Sequence, residues 1–394
     1  MIKPYGSESL NPLYVVDDAR RAALMKAAEG LPSILISSGA ATSAVMLGSG
    51  YFNPLTGYMS IAEAASIAEK MTLPNGLLWP IPVMNIVKAE QISQAVKNAK
   101  RIALRDPNVE GNPVLAIMEV SAIEALSDEQ KTHLIENVFR TTDPAHPGVA
   151  AFADMGDQVI SGPIQVLNYS YFRSEFPETF RTAVEIREEI AQRGWNKVVA
   201  FQTRNPMHRA HEELCRIAQQ AVGADGILIH MLLGKLKEGD IPAPVRDAAI
   251  RKMVERYFPE NTVFIAGYGF DMLYAGPREA VLHAIFRQNC GCSHLIVGRD
   301  HAGVAPYYGP FDAQAIFDEI PSGALQIEIF RGDHTVWCNK CNQVVMRRDC
   351  PHSQDDYLII SGTKMREMLK AGQALPPEFM RPEVAEILMK YYRE

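Results

Sequence analysis

Five short apolar runs alternate with four helical patterns between residues 197 and 330, and this alternation restricts the fold more than any other feature. Strands are expected at 197–201, 226–231, 262–267, 294–298 and 325–330, and helices at 206–221, 244–257, 277–289 and 311–319. Strands that alternate with helices form a parallel sheet with helices on both faces. Ligand sites in such sheets lie at the carboxyl ends of the strands. The pattern therefore predicts an α/β domain and the edge of its sheet where a site should lie.

The stretch QTRNPMHRAHE, residues 202–212, follows the first of these strands. It is typical of a tight turn into a helix, with Pro206 in the first helical turn. His208 and His211 would then share one face near the positive end of the helix. Together with Arg204 and free backbone N–H groups, they predict a site for a polyanion, such as the phosphates of a nucleotide. A single His is more often a core residue and a single Arg a surface charge, but their convergence favours the site.

A second loop, GRDHAG at residues 298–303, follows the strand expected at 294–298. Its glycines allow the backbone to approach a ligand and to expose its N–H groups. A structural Arg–Asp pair is the alternative. Because the first motif belongs to the same domain, we interpret this loop as part of the same ligand site.

Several further charged or polar residues leave two interpretations open. Ser361-Gly362-Thr363 and Arg366 could begin a second phosphate-contacting helix, or Ser361 could be an ordinary N-cap. The side chains of Lys235, Lys237 and Arg246 could close over phosphates, although most such charges are solvated.

Composition and charge exclude several classes of protein. The chain has 394 residues, which indicates two or three domains, and its net charge of −7 argues against a nucleic-acid scaffold. The start, MIKPYGSESLNPL, resembles neither a signal peptide nor a transit peptide. No apolar run approaches the ~20 residues that span a bilayer. We therefore expect a cytoplasmic protein that contacts neither membrane nor nucleic acid.

Residues 1 to about 165 have the pattern of a small β-rich domain, which we expect to be a barrel. Turn residues separate strands expected at 33–37, 77–83, 101–104, 114–120 and 159–167, and helices are expected at 61–70 and 127–138. No chemically active residues converge in this part of the chain.

Three cysteines and a histidine near the C-terminus have the spacing of a metal site. Cys338, Cys341, Cys350 and His352 offer three thiolates and an imidazole, the ligand set of a closed tetrahedral zinc site. Unliganded cytosolic cysteines are the alternative. Since four protein ligands leave no position for water, such a zinc would be structural. The remaining cysteines are predicted to be core residues: Cys215, Cys290 and Cys292.

The stretch QTRNPMHRAHEEL closely resembles the signature of the ATP sulfurylase (sulfate adenylyltransferase) family, within the α/β nucleotidyltransferases that carry a His-x-x-His pair. Further stretches resemble the family in the same order: YFNPLTGYM at 51–59, Gly239-Asp240 with Arg246, YAGPREA at 274–280, GRDHAG at 298–303 and YGPFDAQ at 308–314. The resemblance covers nearly the whole chain.

The resemblance implies a domain order and a reaction. It implies a PUA-like β-barrel domain over 1–168, a Rossmann-like α/β nucleotidyltransferase domain over 169–330 and a small zinc-bearing α/β segment over 331–394. The family joins ATP and sulfate into adenosine 5′-phosphosulfate and pyrophosphate, reversibly and with Mg²⁺. Because sulfate is ionised at neutral pH, direct in-line attack on the α-phosphorus needs no general base. No G-x-x-x-x-G-K-[ST] loop is present, so the kinase domain fused to some members is not expected.

The resemblance also implies residue roles. Sulfate would be held by Gln202, Arg204 and the backbone N–H of Ala302. The catalytic residues would be Thr203, Arg204, Asn205, His208 and His211. ATP would be bound by Gln202, Thr203, Arg204, Asn205, Gly298, Arg299, Asp300 and His301.

Three other functions fit parts of the sequence. A nucleotidyltransferase with a different phosphorylated acceptor would keep the fold. A hydrolytic metal site at His208 and His211 is disfavoured, since the stretch lacks the Glu and the spacing of H-E-x-x-H. RNA binding by the N-terminal domain is disfavoured by the scarcity of Lys/Arg clusters. The sequence leaves open the physiological direction and the subunit number, although the family resemblance implies a homo-oligomer.

Overall fold

The N-terminal part of the chain folds around a seven-stranded sheet. The computed structural model describes residues 1–236 and 240–393, without the side chain of Thr363. The strands are β1 (Ser33–Leu35), β2 (Gly57–Tyr58), β3 (Ile86–Val87), β4 (Arg101–Arg105), β5 (Val114–Glu119), β6 (Ala122–Ala125) and β7 (Gln158–Val166). The helices are α1 (Asp18–Ala28), α2 (Ser38–Gly48), α3 (Ile61–Lys70), α4 (Gln94–Asn98), α5 (Asp128–Phe139) and α6 (Pro147–Ala153). Pairing follows the order β1-β4-β5-β7-β2, and β3 and β6 also pair with β7.

Most of the elements expected here are present, but the strand predicted at 77–83 is wrong. This segment has no strand partner beyond one bridge between Thr72 and Leu78. Its apolar side chains are packing anchors instead, since Trp79 is fully buried and its Nε1 donates to the carbonyl of Ile81 at 2.8 Å. Helix α2 was not predicted because it is buried on nearly every face and so lacks an amphipathic period.

The middle of the chain forms a five-stranded parallel sheet, as the alternation predicts. Its strands are β8 (Val198–Thr203), β9 (Gly226–Leu232), β10 (Val263–Tyr268), β11 (His294–Val297) and β12 (Glu328–Arg331). The helices are α7 (Phe172–Glu175), α8 (Ala183–Gln192), α9 (Arg209–Val222), α10 (Ala243–Tyr257), α11 (Pro277–Asn289) and α12 (Asp312–Glu319). The spatial order is β10-β9-β8-β11-β12. The strands that follow β8 in the chain, β9 and β10, lie on one side of it, whereas β11 and β12 lie on the other side. The topological switch point is therefore the gap between the carboxyl ends of β8 and β11.

Helix α9 begins later than the sequence suggests. Its first residue is Arg209 and its N-cap is His208, so Pro206 lies in the preceding loop and not in the first helical turn. The loop between β8 and α9 is consequently longer than predicted, and His208 lies at the cap of the helix.

The last part of the chain packs against the start of α9 and against α10. It contains β13 (Thr335–Cys338), β14 (Gln343–Met346), β15 (Tyr357–Leu358), α13 (Gly362–Lys370) and α14 (Pro382–Arg393), with the antiparallel order β14-β13-β15. The guanidinium of Arg381 donates two hydrogen bonds, at 2.8 and 3.0 Å, to the buried carboxylate of Glu212. The hydroxyl of Tyr257 donates to Glu383 at 2.7 Å. These contacts hold the C-terminal segment beside the switch point.

Among the described residues, no helix is both long and apolar enough to cross a bilayer.

Candidate active site

One cavity of about 340 Å³ opens at the carboxyl ends of β8 and β11. Every residue predicted to bind nucleotide or sulfate lines it: Gln202, Thr203, Arg204, Asn205, His208, His211, Gly298, Arg299, Asp300, His301 and Ala302. The structure therefore brings together two loops that are about 90 residues apart in the chain, because their strands are neighbours in the sheet.

The guanidinium of Arg204 is held by two contacts that leave its Nη1 without a partner among the described residues. Its guanidinium carbon lies 4.9 Å from the ring centroid of Tyr274, and its Nη2 donates to the carbonyl of Gly303 at 3.2 Å. Its Nη1 is buried and has no hydrogen-bond partner among the described residues. A buried donor without an acceptor costs roughly 1–3 kcal/mol, which an anion in the cavity would offset. The side chain is therefore held in place with a hydrogen-bond donor that an oxyanion would satisfy.

The turn before α9 is fixed by Thr203. Its hydroxyl donates to the carbonyl of Asn205 at 2.7 Å and accepts the N–H of the same residue at 3.1 Å. The hydroxyl of Thr203, a residue that the resemblance assigns to ATP binding, thus forms its hydrogen bonds with the backbone of Asn205. Thr203 shapes the loop that presents its neighbours.

His208 and His211 form a stacked pair at the start of α9. Their ring centroids are 3.9 Å apart, and the ring of Phe379 stacks on His208 at 4.9 Å. The Nδ1 atom of each histidine is buried without a hydrogen-bond partner in the described structure. Burial lowers the pKa of His211 to about 4 and the pKa of His208 well below its usual value. Both rings are therefore neutral in the ligand-free protein at pH 7, and each can donate one N–H.

The expectation of free backbone N–H groups at this helix end is only partly correct. The N–H of Arg209 already donates to the carbonyl of Phe379 at 3.0 Å, because the C-terminal segment packs against the helix start. The N–H of Ala210, which lines the cavity, has no partner within the described residues.

We expect the ligand-free protein to lose thermal stability as the pH falls from 7.5 to 5.5. The folded-state pKa of His211 lies below the unfolded value of about 6.5, so the unfolded chain takes up this proton first and the penalty grows with acidity. At pH 5.5 this histidine would contribute up to about 1.4 kcal/mol of the loss. Melting temperatures of the wild type and of His211→Asn at both pH values test this. A pH dependence that is equal in the two proteins would contradict it.

The GRDHAG loop turns sharply beneath the other side of the cavity. Asp300 and Ala302 have φ values of 54° and 56°, and the N–H of Asp300 donates to the carbonyl of Pro310 at 2.8 Å. Arg299 and Asp300 form an exposed ion pair at 3.2 Å, which is the structural Arg–Asp pair that the sequence left as the alternative. An exposed ion pair of this kind stabilises the fold little. The Nε2 of His301 lies 3.0 Å from the Nδ1 of buried His283, and burial lowers the pKa of His301 to about 3.

The far wall of the cavity was not predicted. It comes from the C-terminal segment and consists of Asp333, His334, Thr335, Val336, Trp337, Val344, Leu358, Ile359, Ile360, Glu378 and Phe379. None of these residues belongs to a recognisable motif. They reach the site only through packing of the last 60 or so residues on α9.

The residues left open by the sequence do not line the cavity where the structure describes them. Arg246 is fully buried and donates to the carbonyls of Ile241 and Leu232, both at 2.9 Å, so it cannot close over phosphates. Lys235 is exposed outside the cavity, and Lys237 and Gly239 lie outside the described residues. The hydroxyl of Ser361 accepts the N–H of Lys364 at 3.1 Å, which is an ordinary N-cap.

The four residues predicted as metal ligands converge at the end of β13. The ligand atoms of Cys338, Cys341, Cys350 and His352 all lie within 4.8 Å of one another. The Sγ atom of Cys350 is 3.8 Å from the Sγ atoms of both other cysteines. The Nδ1 of His352 is 3.3, 3.3 and 3.5 Å from the three sulfurs. A tetrahedral zinc with ordinary bond lengths has S–S edges of about 3.8 Å and S–N edges of about 3.5 Å, so the cluster fits a metal ion. The other three cysteines are buried in the core, as predicted.

Comparison with known proteins agrees with this geometry. Residues 177–391 match the sequence model of the ATP-sulfurylase family, and residues 2–169 match that of a PUA-like domain. The whole chain is 65% identical to the sulfate adenylyltransferase of Alcanivorax borkumensis and 62% identical to that of Allochromatium vinosum, covering 98% and 99% of those proteins. The sulfate adenylyltransferase of the Riftia pachyptila sulfur-oxidizing endosymbiont is 51% identical over 99% of this chain and 88% of its own.

A solved structure has the same fold. The hexameric APS kinase from Thiobacillus denitrificans superposes with a TM-score of 0.75 at 24% identity, over 99% of this chain and 68% of that one.

Proposed function

This chain belongs to the ATP-sulfurylase family, and we propose that it transfers the adenylyl group of ATP to sulfate, reversibly, to give adenosine 5′-phosphosulfate and pyrophosphate. One observation of the structure supports this most directly. Arg204, whose buried Nη1 has no hydrogen-bond partner among the described residues, lines the same cavity as the paired imidazoles and the GRDHAG loop. A cavity with these donors suits two anions held side by side.

Positioning is the main chemical task. Sulfate carries its negative charge at neutral pH without help, so the protein need not remove a proton from it. Gln202, Arg204 and the N–H of Ala302 would orient one sulfate oxygen toward the α-phosphorus. Bringing two anions together is what the site must achieve, and fixed donors supply this without reorganisation at the moment of reaction.

The departing pyrophosphate is the second task. His208 and His211, neutral in the empty site, would each donate an N–H to phosphate oxygens, and the approach of a polyanion would raise their affinity for protons. The loop of Gly298, Arg299, Asp300 and His301 would hold the nucleoside. Thr203 and Asn205 would keep the turn in shape for these contacts.

Two metals belong to the proposal. Mg²⁺ would arrive with ATP and neutralise charge on the phosphate oxygens. Zn²⁺ would fill the Cys338, Cys341, Cys350 and His352 cluster, where four protein ligands leave no open position, so its role would be structural. A homo-oligomer in the cytoplasm is also part of the proposal.

Pyrophosphate release from Mg-ATP, measured with and without sulfate and with pyrophosphatase present, tests the reaction. We expect release only with sulfate, together with formation of adenosine 5′-phosphosulfate, since the acceptor completes the site. Release that is indifferent to sulfate would refute the acceptor. A nucleotide or sugar phosphate that restored it would instead favour a different acceptor on the same fold.

A further inference from the structure

A charged side chain lies buried behind the cavity, and no carboxylate among the described residues pairs with it. Arg287, on α11, is fully buried, and its Nη1 donates to the carbonyl of His283 at 3.3 Å. Among the described residues its Nε and Nη2 have no hydrogen-bond partner and its guanidinium has no carboxylate partner, although the hydroxyl of Tyr268 lies close enough to interact with it. Arginine remains protonated in proteins. Burying an uncompensated cation is costly, so such a residue calls for an explanation.

The ionisable groups around Arg287 are shifted toward their neutral forms. Burial, reinforced by the charge of Arg287, lowers the pKa of His230 and His283. Burial raises the pKa of Cys290 and Cys292. Burial also raises the pKa of Glu279 to about 7, and this carboxyl is engaged by the N–H groups of Leu273 and Ala275. The charge of the guanidinium is therefore balanced at most in part, by the Glu279 carboxyl, which is only partly ionised near pH 7 and lies 3.6 Å from the Nε2 of His283.

Two short connections link Arg287 to the cavity. Its guanidinium carbon lies 4.9 Å from the ring centroid of Tyr268, whose hydroxyl accepts a hydrogen bond from the Nε2 of Gln202 at 3.3 Å. On the other side, His283 contacts His301 at 3.0 Å. Gln202 and His301 both line the cavity. Two residues on each path, Tyr268 and Gln202 or His283 and His301, thus separate the charge from the anion site, in a region where little water screens it.

We propose that Arg287 is a positioning residue whose uncompensated charge strengthens the binding of anionic substrates on the other side of Gln202 and His301. The inference rests on the proposed function for the identity of those anions. The negative charge of the bound substrate balances the positive charge of Arg287. Binding of the anion therefore recovers the energetic cost of burying this cation. Arg204 acts by direct contact, and Arg287 acts through its field and through the Tyr268–Gln202 hydrogen bond.

The test compares full-length Arg287→Met and Arg287→Lys with the wild type. Without anions, Arg287→Met should melt at or above the wild-type temperature, because an apolar residue removes an unpaired buried charge. The KM for sulfate should rise about tenfold, with kcat changed much less, and the stabilisation by added pyrophosphate should shrink. Arg287→Lys, which keeps the charge, should restore most of the affinity. A structural role alone would not produce this combination.

Arg278 is the matched control, because it lies on the same helix but its guanidinium is hydrogen-bonded to three backbone carbonyls. Its guanidinium donates to the carbonyls of Ile67, Pro80 and Ala68 at 3.0, 3.0 and 2.6 Å. Arg278→Met should lower the melting temperature and leave the sulfate KM and the pyrophosphate effect unchanged.

The possible results separate the two proposals. If Arg287→Met melts lower and binds anions as the wild type does, the inference is wrong. If it does not fold, Arg287→Gln replaces it, and failure of both neutral variants would make the role structural and overturn the inference. If the wild type shows no sulfate-dependent turnover, the proposed function fails, but the pyrophosphate effect on melting still decides the role of Arg287.

Discussion

Replacing Arg204 with Ala is expected to lower sulfate-dependent pyrophosphate release by about 10²–10³-fold or more, the range seen when one fixed oxyanion donor is removed. The physical reason is the geometry of the side chain. Gly303 and Tyr274 hold the guanidinium at the cavity with its Nη1 buried and without a hydrogen-bond partner among the described residues, so an anion that reached this donor would satisfy it. Steady-state rates at saturating Mg-ATP, over a wide range of sulfate concentrations, measure the effect.

Two variants make this result specific. Arg204→Lys keeps the charge but loses the planar fork, so it should recover only part of the activity. Arg193→Ala removes a guanidinium that pairs with Glu189 on the surface of the same domain, and its activity should match that of the wild type. Near-normal turnover by Arg204→Ala would refute the assigned role.

The parallel sheet and the two ligand loops could be predicted from sequence because both rest on local patterns. Apolar runs alternate with helical periods, and the residues after β8 and β11 are polar types suited to anions. The relative position of the loops followed from the rule that parallel strands end at one edge. Neither step required knowledge of long-range packing.

The far wall and the buried charge could not be predicted, because both depend on tertiary packing. Phe379 stacks on His208 in a segment that Arg381 ties to Glu212, a contact between residues 169 positions apart. Arg287 looks in sequence like any helical surface cation, and only the tertiary structure shows that it is buried without a carboxylate partner among the described residues. The false strand at 77–83 has the same cause, since apolar residues also pack as irregular anchors.

The wild-type protein, purified without chelators, is expected to contain one zinc ion per chain, and Cys338→Ser is expected to contain none. Two S–S and three S–N distances already match the edges of a tetrahedral zinc site, and closed sites of this type hold zinc with roughly 10–16 kcal/mol in isolated peptides. Elemental analysis of both proteins measures this. A lower melting temperature should accompany the loss of metal.

The loss of zinc should also reduce sulfate-dependent turnover, although no ligand lines the cavity. Cys338 ends β13, and Thr335, Val336 and Trp337 on the same strand form part of the cavity wall. The metal would therefore hold in place a wall that the short three-stranded sheet stabilises weakly by itself. Cys215→Ala, which changes a buried thiol within α9, should keep its zinc and serves as the control. Metal-free wild-type protein, or full zinc content in Cys338→Ser, would contradict the zinc assignment.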